Sequence, residues 1–273
     1  MNPVEAQQVR TTVPILTYHQ IADRTETTSR LAVAPATFAD HLARLDAAGF
    51  TTLTACSVAA ALGGGDELPS RPLVLTFDDG FADFHSRVLP LLARYGFTAT
   101  LFITTGWIDD AGADAAGRRP GRMLSWSQVG EAADAGVEVA AHSHRHAQLD
   151  QLADVAVRRE LHTCKALLED RLGRAVPGLA YPFGYSSARV RRAVRESGYQ
   201  YGCAVGNMIA TPARDPFALP RLTIKRSTQP RAFDRIVRAQ GVPLIFLKDR
   251  SLTKGWALIR RTRAAVGRVS DRG

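Results

Sequence analysis

Three short stretches of the chain carry side chains that could do chemistry. The first is "LTFDDG" (75–80), an apolar run that ends in two adjacent carboxylates, Asp78 and Asp79, and a glycine. Adjacent carboxylates repel, and burial adds a desolvation cost. A cation beside them or a proton-transfer task would justify the pair, whereas Asp-Gly alone is ordinary turn chemistry. The second is "AAHSHRHAQL" (140–149), with His142, His144 and His146 within five residues. Histidines at that density suggest a metal, and the alternative is a His-rich surface turn. His142 and His146 with Asp79 would form a two-imidazole, one-carboxylate set that leaves positions on the ion for water and substrate. The third is "AYPFG" (180–184), a Pro-Phe-Gly turn able to aim backbone N–H groups at an oxyanion, although taken alone it is only a turn.

The elements around these stretches alternate. Strand-like runs at 13–19, 72–77, 98–104, 137–143, 178–184, 201–206 and 217–224 are separated by amphipathic stretches at 37–50, 81–96, 125–136, 150–172 and 187–198. Thr37 is placed to cap the first helix and Gly49 to end it. Strand–helix alternation implies parallel strands with helical crossovers. The expected fold is therefore α/β, a (β/α) barrel of seven or eight strands, closed or incomplete, with a doubly wound sheet as the alternative. All three chemical stretches fall at the C-terminal ends of strands, where barrels carry their active sites. Segments 109–121 and 207–216 read as loops. An HxH strand also occurs in amidohydrolase barrels, but those have further histidines late in the chain, and here His162 is the last.

The 273 residues have the composition of a globular protein large enough to bury a core without staples. Cys56, Cys164 and Cys203 are too scattered for a metal knuckle or a disulfide framework. The net charge of +9 is uneven: residues 1–220 sum to −2 and residues 221–273 to +11. The basic part is a helical tail (241–273) appended to a catalytic domain (1–240), with Trp256 and Ile259 among its cations. Such a tail either packs on the barrel or meets an anionic membrane surface through 242–273. Nucleic acid is not expected, because no aromatic platform or groove-reading motif accompanies the charge. No secretory signal or membrane span is visible, so the expected location is cytoplasmic, with the inner membrane face as a peripheral site.

Together, strand-"TFDDG", strand-"HSHRH" about sixty residues on and strand-"YPFG" about forty further closely resemble the polysaccharide deacetylase family, the NodB homology domain of carbohydrate esterase family 4. Its TFDDG motif is present unchanged. Its H-[S/T]-x-x-H motif is matched by His142, Ser143 and His146, with His144 the variable position. Its R-x-P-[F/Y] motif is matched by Pro182 and Phe183. The resemblance spans roughly residues 13–225 and implies Asp78 as general base and Asp79, His142 and His146 as ligands of a divalent metal, zinc by its donor set. It also implies the Phe183 backbone N–H as an oxyanion donor, with Tyr181 and Pro182 against the substrate.

Two positions depart from the family pattern. Ala180 stands where the family has an arginine that orients the base, and Arg221 in "LPRLTI" is the candidate replacement; the alternative is a surface or phosphate-facing arginine. No late histidine is present to act as general acid. The early "ILTYHQIAD" (15–23) looks like the circularly permuted branch that includes poly-N-acetylglucosamine deacetylases, and makes His19 the acid; a buried structural histidine is the alternative. The expectation is a metal-dependent N-deacetylase acting on an N-acetylated sugar or polysaccharide. The alternatives are a deacylase or deformylase of a lipid-linked sugar, an O-deacetylase of a xylan-like glycan, and a non-catalytic glycan-binding or membrane-associated module.

Overall fold

Eight short strands rich in apolar residues form the centre of the computed structural model, which describes residues 12–65 and 67–251. They are β1 (Ile15–Tyr18), β2 (Thr51–Leu53), β3 (Pro72–Phe77), β4 (Thr100–Ile103), β5 (Glu138–Ala141), β6 (Gly178–Ala180), β7 (Tyr201–Val205) and β8 (Leu219–Thr223). Every pairing between them is parallel. β1 pairs with both β3 and β8, so β1 and β3–β8 close into a seven-stranded barrel. β2 is an extra strand on the first half of β3, from Pro72 to Val74. Closure removes the sheet edges and brings the chain's first strand beside the one that carries Asp78.

The strands alternate between two apolar environments, as a period of two requires. Ile15, Val74, Phe102, Ala140, Ala180, Cys203 and Leu219 share the barrel interior. Leu16, Leu75, Leu101, Val139, Leu179 and Leu222 pack outward against helices. Those helices are α1 (Pro35–Ala47), α2 (Ala55–Leu62), α3 (Leu89–Tyr95), α4 (Trp126–Asp134), α5 (Asp154–Leu172), α6 (Ala188–Glu196), α7 (Pro230–Val237) and α8 (Val242–Ile245).

Local details depart from expectation. Helix α1 starts at Pro35 after Ala34, with no side-chain cap, so Thr37 lies inside the helix; proline at the first position supplies the preset φ instead. The β2–α2 unit escapes sequence periodicity because both pieces are short. Its role is closure: the Ala55 N–H donates to Thr100 Oγ1 (2.8 Å) and the Cys56 N–H to Glu138 Oε2 (3.1 Å), at the end of the barrel where β4 and β5 begin. Ala55 and Val58 complete the interior cluster there. The cysteines Cys56, Cys164 and Cys203 are all free. At the C-terminal side, Val242 and Phe246 join the main core, while Leu244 and Leu247 are exposed. Trp256, Ile259 and the rest of 252–273 lie outside the described residues. Among the described residues no helix is long and apolar enough to cross a membrane.

Candidate active site

The chain beyond β3 continues the barrel register by one bond, from the Asp78 N–H to the Tyr18 carbonyl (3.0 Å), and then turns sharply at Asp79, φ 77°. Asp78 thereby faces Arg221 and Asp79 faces the imidazoles beyond β5. Arg221 rises from β8 to meet Asp78 with a two-pronged contact, Nη1 to Oδ1 at 2.7 Å and Nη2 to Oδ2 at 2.8 Å. Its Nη1 also donates to Thr76 Oγ1 (3.2 Å), and its guanidinium lies 5.3 Å from the Phe102 ring centre. The side chain is 1% exposed. Burial alone would raise the Asp78 pKa, but Arg221, then His142 and His19, outweigh it and hold the carboxyl well below the usual range.

The end of β5 supplies the two imidazoles. His142 Nδ1 lies 2.8 Å from the Ala180 carbonyl, which can only accept. Nδ1 therefore carries the proton, and the Nε2 lone pair faces Asp79 Oδ1 at 3.5 Å. Ser143 (φ 64°) and His146 (φ 56°) both adopt left-handed backbone, a sparsely populated region for such residues. The turn they make returns His146 Nε2 to 3.4 Å from the same Asp79 oxygen. One ligand atom from each of Asp79, His142 and His146 lies within 4.8 Å of the others. Asp79 Oδ1 is buried with no hydrogen-bond partner. Burial first, then the charge of Asp78, pushes Asp79 up to about 8, while burial lowers His142 and takes His146 down to about 3. An orphaned carboxylate oxygen facing two neutral imidazoles fits a divalent cation. His144 stands apart, its Nδ1 3.0 Å from Thr105 Oγ1.

His19 follows β1, and its Nε2 lies 3.9 Å from Asp78 Oδ2. Burial lowers its pKa to about 4 against the opposing pull of Asp78. The loop beyond it is clamped at Ile21, whose N–H donates to Asp83 Oδ2 (2.6 Å) and whose carbonyl accepts from Arg87 Nη1 (2.8 Å).

Tyr181 and Pro182, expected against substrate, are both buried, and the Tyr181 hydroxyl donates to the Phe217 carbonyl at 2.8 Å. They brace the turn. The residue they present is Phe183, held at φ 59° and 49% exposed. Its ring centre is 4.7 Å from that of His146, which Trp107 meets at 4.8 Å. Trp107 escaped sequence reasoning because nothing in "TTGW" separates it from core. Asp83 and Glu160 escaped as single carboxylates within helical stretches. Glu160 left a trace: it occupies a position on the apolar stripe Val157, Leu161, Cys164, Leu168.

A closed parallel barrel thus gathers at its strand ends a buried cluster that could hold a cation, beside a carboxylate held by an arginine. The family model for polysaccharide deacetylase matches residues 65–202, and the chain belongs to that family. The matched stretch holds Asp78, Asp79, His142 and His146 and leaves out His19 and Arg221. YxkH of Bacillus subtilis is 27% identical over 230 residues, covering 83% of this chain and 76% of that protein. The poly-beta-1,6-N-acetyl-D-glucosamine N-deacetylase of Escherichia coli is 27% identical over 135 residues, which is 47% of this chain and a fifth (20%) of that enzyme's length. The solved deacetylase PplD of Streptococcus pyogenes, in complex with acetate, superposes with a TM-score of 0.75 at 25% identity, over 84% of this chain and 99% of that one.

Proposed function

We propose that this protein hydrolyses the N-acetyl group of an N-acetylglucosamine polymer, using a divalent cation held by Asp79, His142 and His146. The observation that carries the reading is the three-atom cluster around the orphaned Asp79 oxygen, immediately beside the Arg221-held Asp78. The names of curated relatives support the substrate class. Bound there, the cation would polarise the acetamide carbonyl and acidify water; two imidazoles and one carboxylate suit zinc.

The chain's own residues do the rest. Asp78, ionised and aimed by Arg221, accepts a proton from the attacking water. The Phe183 N–H contributes to the oxyanion site. His19 delivers a proton to the leaving nitrogen. Burial keeps His19 neutral near pH 7, so that proton comes from the reaction itself. Asp78 takes it from water, and His19, 3.9 Å away, is the next group in line. The exposed ring of Phe183 offers an apolar face to a sugar. The exposed Leu244 and Leu247, at the start of the basic tail, support docking on an anionic bilayer, which vesicle flotation of the full chain against one ending at residue 247 tests.

The deciding assay is acetate release from poly-N-acetylglucosamine, acetylated xylan and lipid-linked N-acetyl sugars, each with and without chelator. Release from the first, abolished by chelator and restored by zinc, is the expected result. Release from xylan alone would replace the N-deacetylase reading with that of an O-deacetylase.

A further inference from the structure

Among the described residues three carboxylates are buried: Asp78, Asp79 and Glu160. The first two belong to the site, and the third is unexplained by packing. Glu160 sits on the inward face of α5, between Val157 and Leu161, where an apolar residue would complete the stripe. A buried charge is retained only where partners offset its desolvation. The partners of Glu160 all belong to the loop between the two imidazoles of the cation cluster. Its Oε2 accepts the backbone N–H groups of His144 (3.1 Å) and Arg145 (2.8 Å), and its Oε1 accepts Arg145 Nε (2.5 Å).

That loop needs holding. It runs through left-handed backbone at Ser143 and again at His146, conformations that persist only where the surroundings over-determine them. Glu160 fixes the two residues in between from their amide side. The other side is fixed too: the Gly106 N–H donates to the His144 carbonyl at 2.8 Å. A side chain at Gly106 would sit 2.6 Å from that oxygen, so the approach requires glycine. His144 and Arg145 are thus gripped from both sides, and His146 leaves the grip aimed at Asp79.

We infer that Glu160 is a positioning residue that sets the cation affinity of the site by fixing the turn from which His146 projects. The inference rests on the proposed ligand set Asp79, His142 and His146, and its test separates the two. The full chain is stripped of metal, and zinc ion is titrated against a chromophoric competitor at a temperature where each variant is folded. Glu160→Gln, which keeps the shape and loses the charge, is expected to weaken zinc binding by about tenfold, the lower end for residues that orient metal ligands. Arg145→Ala, at a partly exposed side chain, removes the countercharge and is expected to give a smaller loss in the same direction. A Glu160→Gln protein that melts lower but binds zinc as tightly as the parent overturns the inference and leaves Glu160 a brace of the fold. If Glu160→Gln does not fold, unchanged zinc affinity in Arg145→Ala overturns it instead. Parental affinity in His146→Ala means that the ligand assignment has failed, whatever Glu160 does.

Discussion

Arg221→Ala is the perturbation that most directly tests how the proposed base is held. It leaves the Asp78 side chain, 4% exposed, with no guanidinium to offset its burial. Breaking a buried ion pair from one side costs about 3–5 kcal/mol, which at about 2–4 °C per kcal/mol for a chain of this size is roughly 6–20 °C in Tm. The sign follows from linkage. With Arg221 present the folded-state pKa of Asp78 is depressed, so its stabilisation is present above the unfolded value of about 4 and lost as pH falls through the folded one. Without Arg221, burial raises that pKa. The gap between parent and variant is therefore wide near pH 7 and narrows as pH falls through the variant's raised pKa towards about pH 4. Urea unfolding of the metal-free proteins at both pH values measures it, and the acid limb of acetate release should move to higher pH in the variant. Ala180→Arg placed in the Arg221→Ala background moves the guanidinium from β8 to β6 within one interior cluster, and should recover part of both losses. Arg221→Lys should recover less, because an ammonium lacks the two-pronged fork. Equal stability at pH 7 with an unmoved acid limb would refute the reasoning.

Three further outcomes are expected. Asp79→Ala and His146→Ala should lose bound metal and His144→Ala should retain it, by elemental analysis after gel filtration. Zinc binding to the metal-free protein should release about one proton per site below pH 8 and none well above it, because Asp79, raised to about 8, must ionise to bind while His142 and His146 are already neutral; calorimetry in buffers of different ionisation enthalpy reads this directly. His19→Ala should slow amide hydrolysis by about two to four powers of ten and an activated acetate ester far less, since only the amide leaving group needs a proton; equal losses would make His19 structural.

Much of the site could be read from the sequence because it is local. Asp78 and Asp79 are adjacent, and His142 and His146 lie four residues apart. A strand that ends at such residues must present them beyond its C-terminal end, and the strand–helix alternation required parallel strands, with a barrel expected and a doubly wound sheet as the alternative. Where reasoning from local pattern erred, packing had decided. Tyr181 and Pro182 follow a strand as contact residues would, but the turn that exposes Phe183 buries both. Thr37 has the chemistry of a cap, but Pro35 begins the helix two residues earlier. Asp83 carries no signal beyond being a carboxylate in a helix, and Glu160 only its place on an apolar stripe.

What the sequence by itself determined, then, is the inventory: parallel strands with helical crossovers, a pair of carboxylates, two spaced imidazoles, and an arginine and a histidine as candidates away from the usual places in the family pattern. Only the tertiary structure decided that the displaced residues arrive at the same point. Arg221 and Asp78 are 143 residues apart in the chain, and no local periodicity links them. They meet because β1 pairs with β3 on one side and β8 on the other. That closure sets His19, Asp78 and Arg221 at the ends of neighbouring strands. A closed ring of hydrogen bonds makes the first strand and the last neighbours, and so lets a permuted chain assemble the site from its two ends.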